Sequence, residues 1–310
     1  MRTIQRLTEA YNNARVEYFD DNSKYVFISD CHRGSGDATD EFNKNQNVFI
    51  FALEVYLSSG FSLVEAGDGD ELWEFPRFRP IKNAHYDVFE LMMKFHEKDR
   101  LILLYGNHNI YLKDQEYVEK NYYDYFNERK GTVSDFLKGI KPIEALVLRH
   151  SETGQEILTV HGHQGDFAND QSWMISMFSL KYFWRFIHSF GFRNPGSPVA
   201  NVNKRHKIEK NYSKWIDKNR MMLICGHTHR FKYPKENDLP YFNTGCCIYP
   251  TSITAIEIAE GNIQLVRWRT LPNQQGYIEI TRDIMRGPDP IKKFDLRQNN
   301  EKKQEALTYE

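Results

Sequence analysis

No Cys-x-x-Cys pair occurs in this sequence, and two of its four cysteines, Cys31, Cys225, Cys246 and Cys247, are adjacent. That pattern excludes a disulfide framework and a zinc-finger site, and it reads as reduced thiols. There is no apolar run approaching the roughly 18 residues a membrane-crossing helix needs, and the mean hydropathy of -0.65 agrees. The first fifteen residues lack the apolar core of a secretory signal, so a cytoplasmic location is expected. Charge of one sign is missing too: 41 basic residues face 42 acidic ones, which excludes a uniformly basic nucleic-acid coat and an acidic solvating chain. No internal repeat is visible. What remains is 310 residues, 40% hydrophobic and 14% aromatic, enough to bury a sizeable core.

Ile4, Leu7, Tyr11 and Ala14 recur at near-helical spacing and predict an amphipathic helix within an N-terminal segment, 1–24. From Tyr25 onward, β-rich runs at 25–29, 61–66 and 101–105 alternate with helix-like stretches at 41–59 and 84–97, which is the pattern of an α/β sheet. Runs at 143–149 and 156–160 read as a hairpin, and those at 221–225, 241–244, 252–258 and 262–268 supply a second sheet. A core of 25–166 and 221–270 is therefore interrupted by a helical insertion, 167–220, and followed by a solvated tail, 271–310.

Five apolar runs end in polar clusters. Asp30-Cys31-His32 follows the first, Gly67-Asp68 the second, Gly106-Asn107-His108 the third, His161-Gly162-His163 the fourth and Gly226-His227-Thr228-His229 the fifth. Open α/β sheets place ligands at the carboxyl ends of their strands, so these loops should converge on one crevice. Alternate residues of an extended strand share a face, which lets Asp30 and His32, or His227 and His229, point together and chelate.

In this order the motifs resemble those of the calcineurin-like metallophosphoesterase superfamily: Asp-x-His, Gly-Asp-x-x-Asp/Glu, Gly-Asn-His-Asp/Glu, His-Gly and Gly-His-x-His. Residues 67–71 supply the second as Gly-Asp-Gly-Asp-Glu. The resemblance spans about residues 25–268 and implies a two-sheet αββα sandwich with a helical cap. It implies one divalent ion held by Asp30, His32, Asp68 and His229, and another held by Asp68, Asn107, His161 and His227, with Asp68 bridging. Imidazole, carboxylate and amide donors together suit Mn, Fe or Zn, and Mn is the first expectation. Two such ions about 3.5–4 Å apart would lower the pKa of a water and clamp the phosphoryl oxygens. His108 is placed to act as general acid. Asn109 stands where the family has an acid and is expected to alter His108. His163 and Asp166 are expected to fix His161 from behind, and Arg33 to reach a phosphate oxygen.

Residues 171–220 carry ten basic and two acidic side chains, a local +8 in a chain whose total is -1. Trp173, Met177, Leu180, Trp184 and Ile187 form an apolar stripe there, widened by Phe178, Phe183, Phe186 and Phe190. Packing on the catalytic domain or another subunit, an acyl-chain pocket, or peripheral membrane contact would each account for it. Lys204, Arg205 and Lys207 are the candidate substrate contacts. The insertion also looks like the cap of the UDP-2,3-diacylglucosamine diphosphatases, a branch of the same superfamily. The expected activity is dinuclear, metal-dependent hydrolysis of a phosphodiester or diphosphate bond in a phosphorylated small molecule, nucleotide-linked or lipid-linked. Three alternatives compete. A Ser/Thr protein phosphatase-like phosphomonoesterase has an open groove that suits a basic aromatic lid poorly. A nuclease, with nucleic acid as partner, would carry more basic charge elsewhere. A non-catalytic scaffold would have lost metal ligands, and none is missing here.

Overall fold

A computed structural model describes residues 2–127, 131–166 and 202–297. The elements run α1 (Arg2–Asn12), β1 (Arg15–Phe19), β2 (Tyr25–Ile28), α2 (Gln46–Ser58), β3 (Ser62–Ala66), α3 (Phe78–Ala84), α4 (Tyr86–His96), β4 (Leu101–Leu104), α5 (Gln115–Tyr122), β5 (Asp124–Asn127), β6 (Thr132–Asp135), β7 (Ala145–His150) and β8 (Glu156–Val160). From residue 202 they continue as α6 (Val202–Asn219), β9 (Met222–Cys225), β10 (Tyr241–Asn243), β11 (Ser252–Ala259), β12 (Asn262–Pro272) and β13 (Ile278–Pro290).

The strands form a six-stranded sheet, β13-β12-β11-β2-β3-β4, and a five-stranded sheet, β1-β7-β8-β9-β10. β2, β3 and β4 are parallel, so each connection must cross back over the sheet, and α2 and α4 do this. β7 and β8 are the expected hairpin, while β8, β9 and β10 run parallel.

The sheets face each other across Phe27, Val64, Ile256, Leu146, Ile157 and Ile224, all buried. Each such side chain removed from water contributes about 1.5–3 kcal/mol. Phe49, Leu53, Phe89 and Met92 of α2 and α4 cover the outer face of the larger sheet. Leu7 and Ala10 of α1, with Tyr212, Trp215 and Ile216 of α6, cover the smaller one. The result is the expected αββα sandwich, and all the strands that precede the polar motifs sit inside it.

Four differences from the expected organisation have physical causes. β1 lies in the 1–24 segment and pairs in parallel with β7, but only Phe19 of its five residues is buried, so its apolar signal is weak. The small hairpin β5-β6 was not anticipated, and β6 is exposed at every position. The region taken as a solvated tail begins with the end of β12 and continues as β13, an edge strand, after which Ile291 and Phe294 plug into the core between the sheets. Finally, α6 packs directly on the smaller sheet, whereas the aromatic stripe from Trp173 to Phe190 lies outside the described residues.

Candidate metal centre

Each polar motif begins where a buried strand ends, and the backbone turns sharply there. Of the nine described non-glycine residues with positive φ, five are candidate ligands: Asp30, His32, Asp68, His227 and His229, at φ between 49° and 66°. The left-handed conformation is costly for side chains with a Cβ and gathers at functional sites. Here it folds the loops of both sheets inward. Gly106 is required beside them, because a Cβ there would collide with the Asp68 carboxylate and backbone nitrogen.

Asp30, His32 and His229 gather at one point, and Asp68, His161 and His227 at another; within each group the ligand atoms lie within 4.8 Å of one another. Asp68 lies between them, with Oδ2 at 3.0 Å from His161 Nε2 and 3.9 Å from His32 Nε2. Its Oδ1 accepts the His108 N–H at 2.8 Å, just as Asp30 accepts the His227 N–H at 2.9 Å. The carboxylates are thereby fixed by the backbone of neighbouring motifs.

The hydrogen bonds behind the rings assign their tautomers. His161 Nδ1–H donates to the Ala66 carbonyl at 3.0 Å, and His32 Nδ1–H donates to Glu71 at 2.7 Å. In its neutral form each ring then presents Nε2 as a lone pair. Against their burial, the carboxylates beside them, Glu71 for His32 and Asp68 for His161, raise both imidazoles above their ordinary range in the absence of metal. His161 Nε2 is buried with no hydrogen-bond partner, although the Asp68 carboxylate is at 3.0 Å. His32 Nε2 lies 3.1 Å from His229 Nε2, which is itself 3.1 Å from Asp30 Oδ1. The buried Asn107 Oδ1 is also without a partner. Imidazole nitrogens and carboxylate oxygens that converge at such distances are held together either by protons shared between them or by a cation, and the donor set fits metal ions. Burial opposes ionisation of Asp30, yet the nearby His229 and His161 outweigh it and draw the carboxyl down to about 2. Burial pushes His227 down, toward the neutral imidazole that a metal ligand requires.

His108 stands at the edge of both groups, stacked on Trp73 with ring centroids 4.3 Å apart. Its Nδ1 meets Glu71 at 2.7 Å. Burial works against its charge, but Glu71 and then Asp68 prevail and hold the imidazolium up to about 9. Without metal, His108 is therefore protonated at neutral pH, the form a proton donor requires.

Glu71 was not singled out from the sequence, although its signal was present: it is the last residue of the Gly-Asp-x-x-Glu run. It supplies His108 with its carboxylate partner. Asn109 does something else, accepting the Gly106 N–H at 2.6 Å and bracing the loop.

Other expected residues sit differently. Arg33 does not face a substrate: it is fully buried, with Nε on Asp70 at 2.7 Å and the guanidinium forked onto Glu65 at 2.6 and 3.0 Å. The Ala66 carbonyl, rather than His163 or Asp166, fixes His161, and Asp166 approaches His227 at 3.7 Å. On α6, Tyr212 donates its hydroxyl proton to the Gly162 carbonyl between His161 and His163. Arg205 shares the buried face of that helix two turns nearer its N-terminus, and its Nη1 is buried without a partner. The C-terminus of α6 leads directly into the start of β9, so its N-terminal half lies at the sheet end where β9 delivers His227. Lys207 is exposed, and the Lys204 side chain lies outside the described residues.

No family model and no curated protein matches the chain. Among solved structures, a predicted phosphoesterase from Streptococcus pneumoniae TIGR4 overlaps 84% of this chain and 97% of its own, at 11% identity and a TM-score of 0.36. Vps29 from Chaetomium thermophilum overlaps 88% of this chain and all of its own, at 10% identity and a TM-score of 0.39. A Vps29 single mutant from Entamoeba histolytica overlaps 85% and 99%, at 14% identity and a TM-score of 0.35. Likenesses this loose carry no argument about activity, which rests on the chain's own clustered ligands.

Proposed function

We propose that this chain is a dinuclear metal-dependent phosphoesterase that hydrolyses a phosphodiester or diphosphate bond. The observation that carries the reading is the pair of lone-pair clusters meeting at Asp68. Asp30, His32, Asp68 and His229 would hold one divalent ion, and Asp68, Asn107, His161 and His227 the other. When bound, such ions supply an activated water and charge neutralisation at the phosphoryl oxygens. The chain's own groups do the rest. His108, oriented by Glu71 and Trp73, gives its proton to the departing oxygen. Arg205, on α6 with a buried and unpartnered Nη1, is the candidate for a contact to a substrate phosphate oxygen. Glu71 keeps His32 in the tautomer that offers Nε2.

Mn as the ion, a cytoplasmic setting and an anionic, partly apolar substrate, nucleotide-linked or lipid-linked, belong to the same proposal. No helix among the described residues is long and apolar enough to cross a membrane. The test is elemental analysis of protein reconstituted with Mn, paired with hydrolysis of bis(p-nitrophenyl) phosphate. The reading expects two ions per chain and turnover, with Asp68→Ala losing both together. Two bound ions without hydrolysis of any phosphoester in a panel would make the chain a scaffold. An Asp68→Ala protein that is fully loaded and active would overturn the bridging assignment.

A further inference from the structure

The exposed lysines of α6 do not face the metal clusters. Ile208, Tyr212, Trp215 and Ile216 of that helix are buried against α1 and the smaller sheet, and from this side Tyr212 reaches the Gly162 carbonyl between His161 and His163. Lys207, Lys210, Lys214 and Lys218 are all exposed. At about 100° per residue the four fall within about 80° of arc, on the side of the helix turned away from Tyr212. They form a stripe about 16 Å long, with one cation for each helical turn.

Exposed helix faces are ordinarily laced with charges of opposite sign one turn apart, as Glu90 and Lys94 of α4 and Arg6 and Glu9 of α1 are. The two acids of α6 are engaged elsewhere: Glu209 pairs with Lys232 at 3.1 Å and Asp217 with Arg220 at 3.5 Å. The four lysines have no ion-pair partner among the described residues. The other exposed residues of the helix are Asn203, His206 and Asp217, so this face offers charge and hydrogen bonds and no aliphatic surface.

We infer that the lysine stripe of α6 is a docking surface for the phosphodiester backbone of a double-stranded nucleic acid, separate from the metal centre. The composition of the face selects the partner. A protein interface has an apolar and aromatic core. A helix that lies on a membrane inserts its apolar face, and in α6 that face is buried within the fold. A single strand is held by aromatic rings on which its bases stack. A duplex presents closely spaced phosphates to which lysines bind as point charges, and it requires none of those features. In a chain whose total charge is -1, a polyanion is drawn only to where cations are gathered without acids between them. Lys207, expected from the sequence to hold substrate, thereby belongs to a second surface. Docking there does not require that the duplex be hydrolysed, so the inference goes beyond the phosphoesterase reading.

The experiment follows the fluorescence anisotropy of a labelled DNA duplex, and of an RNA duplex of the same sequence, as the full chain is added after chelation of metal. Binding is expected at about 50 mM salt, with log K falling against log salt at a slope of about -3 to -4, roughly 0.9 for each of four phosphate contacts. Lys210→Gln, Lys214→Gln and Lys218→Gln combined should weaken binding at least tenfold and bring the slope to about -1. All three side chains are exposed, and circular dichroism checks that the variant is folded. The duplex bound more tightly names the backbone. No binding of either duplex at low salt, or an unchanged slope in the folded triple variant, would overturn the inference. Binding of polyglutamate or of phosphatidylglycerol vesicles at least as tight as that of the duplexes would assign the face to an acidic protein or a lipid surface and overturn it equally. Because binding is read without metal, a chain inactive on bis(p-nitrophenyl) phosphate can still bear out the surface, and an active chain that binds neither duplex loses it.

Discussion

Glu71 accepts hydrogen bonds from two imidazoles, at 2.7 Å from His32 Nδ1 and 2.7 Å from His108 Nδ1, and so couples the proposed metal ligand to the proposed proton donor. A neutral amide of the same shape would keep the space and lose the charge. Glu71→Gln should therefore cut activity by about 10–100-fold, as the loss of a partner behind a metal-bound histidine does. It should also lower the His108 pKa, since Glu71 is the largest influence raising it. In its proposed role His108 works in its protonated form, so a lower pKa moves the alkaline loss of activity to lower pH; a pH–rate profile unmoved by the substitution would detach Glu71 from His108. His108→Ala should cost about 10²–10⁴ in rate on alkyl esters and less on nitrophenyl esters, whose leaving group needs no proton. Equal losses on both would make His108 a phosphate contact instead. The clustering of the candidate ligands was legible because each follows a buried strand. Arg33 was misread because nothing in the run Asp30-Cys31-His32-Arg33 shows that Glu65 and Asp70, far off in sequence, supply a buried fork.

At the scale of elements, legibility followed burial. β4, Leu-Ile-Leu-Leu, is buried at every position and stood out as an apolar run. β13 has no fully buried residue, since an edge strand is held chiefly by its ladder to β12 and needs little apolar surface. Its sequence therefore reads as solvent-facing, and so the chain beyond Leu271 was taken for a tail. The consequence is measurable at Phe294, which packs edge-on against Phe242 with ring centroids 5.1 Å apart. Phe294→Ala should lower unfolding stability by about 3 kcal/mol, as large-to-small changes in a core do. In a solvated tail the same change would stay within about 0.5 kcal/mol. Urea unfolding distinguishes the two. The helical period of α6 was equally visible in the sequence, but its position was not, because hydrophobic periodicity records that Tyr212, Trp215 and Ile216 are buried without saying against what.

For the whole molecule, the two sheets converge at their motif-bearing ends, and the price is a set of buried, mutually repelling donors at the seam. Asp30 and Asp68 are both buried there, among imidazoles whose lone pairs face one another. Cations that bind the folded chain and not the unfolded one stabilise it by mass action, by about 2.7 kcal/mol for each site at a hundredfold excess over its dissociation constant. In a chain of 310 residues a kcal/mol corresponds to about 1.5 °C in Tm. Loading two sites should therefore raise Tm by about 8 °C over the chelated protein, and added Mn should restore the value lost on chelation. Asp68→Ala should show little of this dependence, because both clusters lose their shared ligand. A wild-type Tm indifferent to chelation and to millimolar Mn would mean that the lone pairs converge on nothing, and the strained left-handed turns at Asp30, His32, Asp68, His227 and His229 would then be left without a cause.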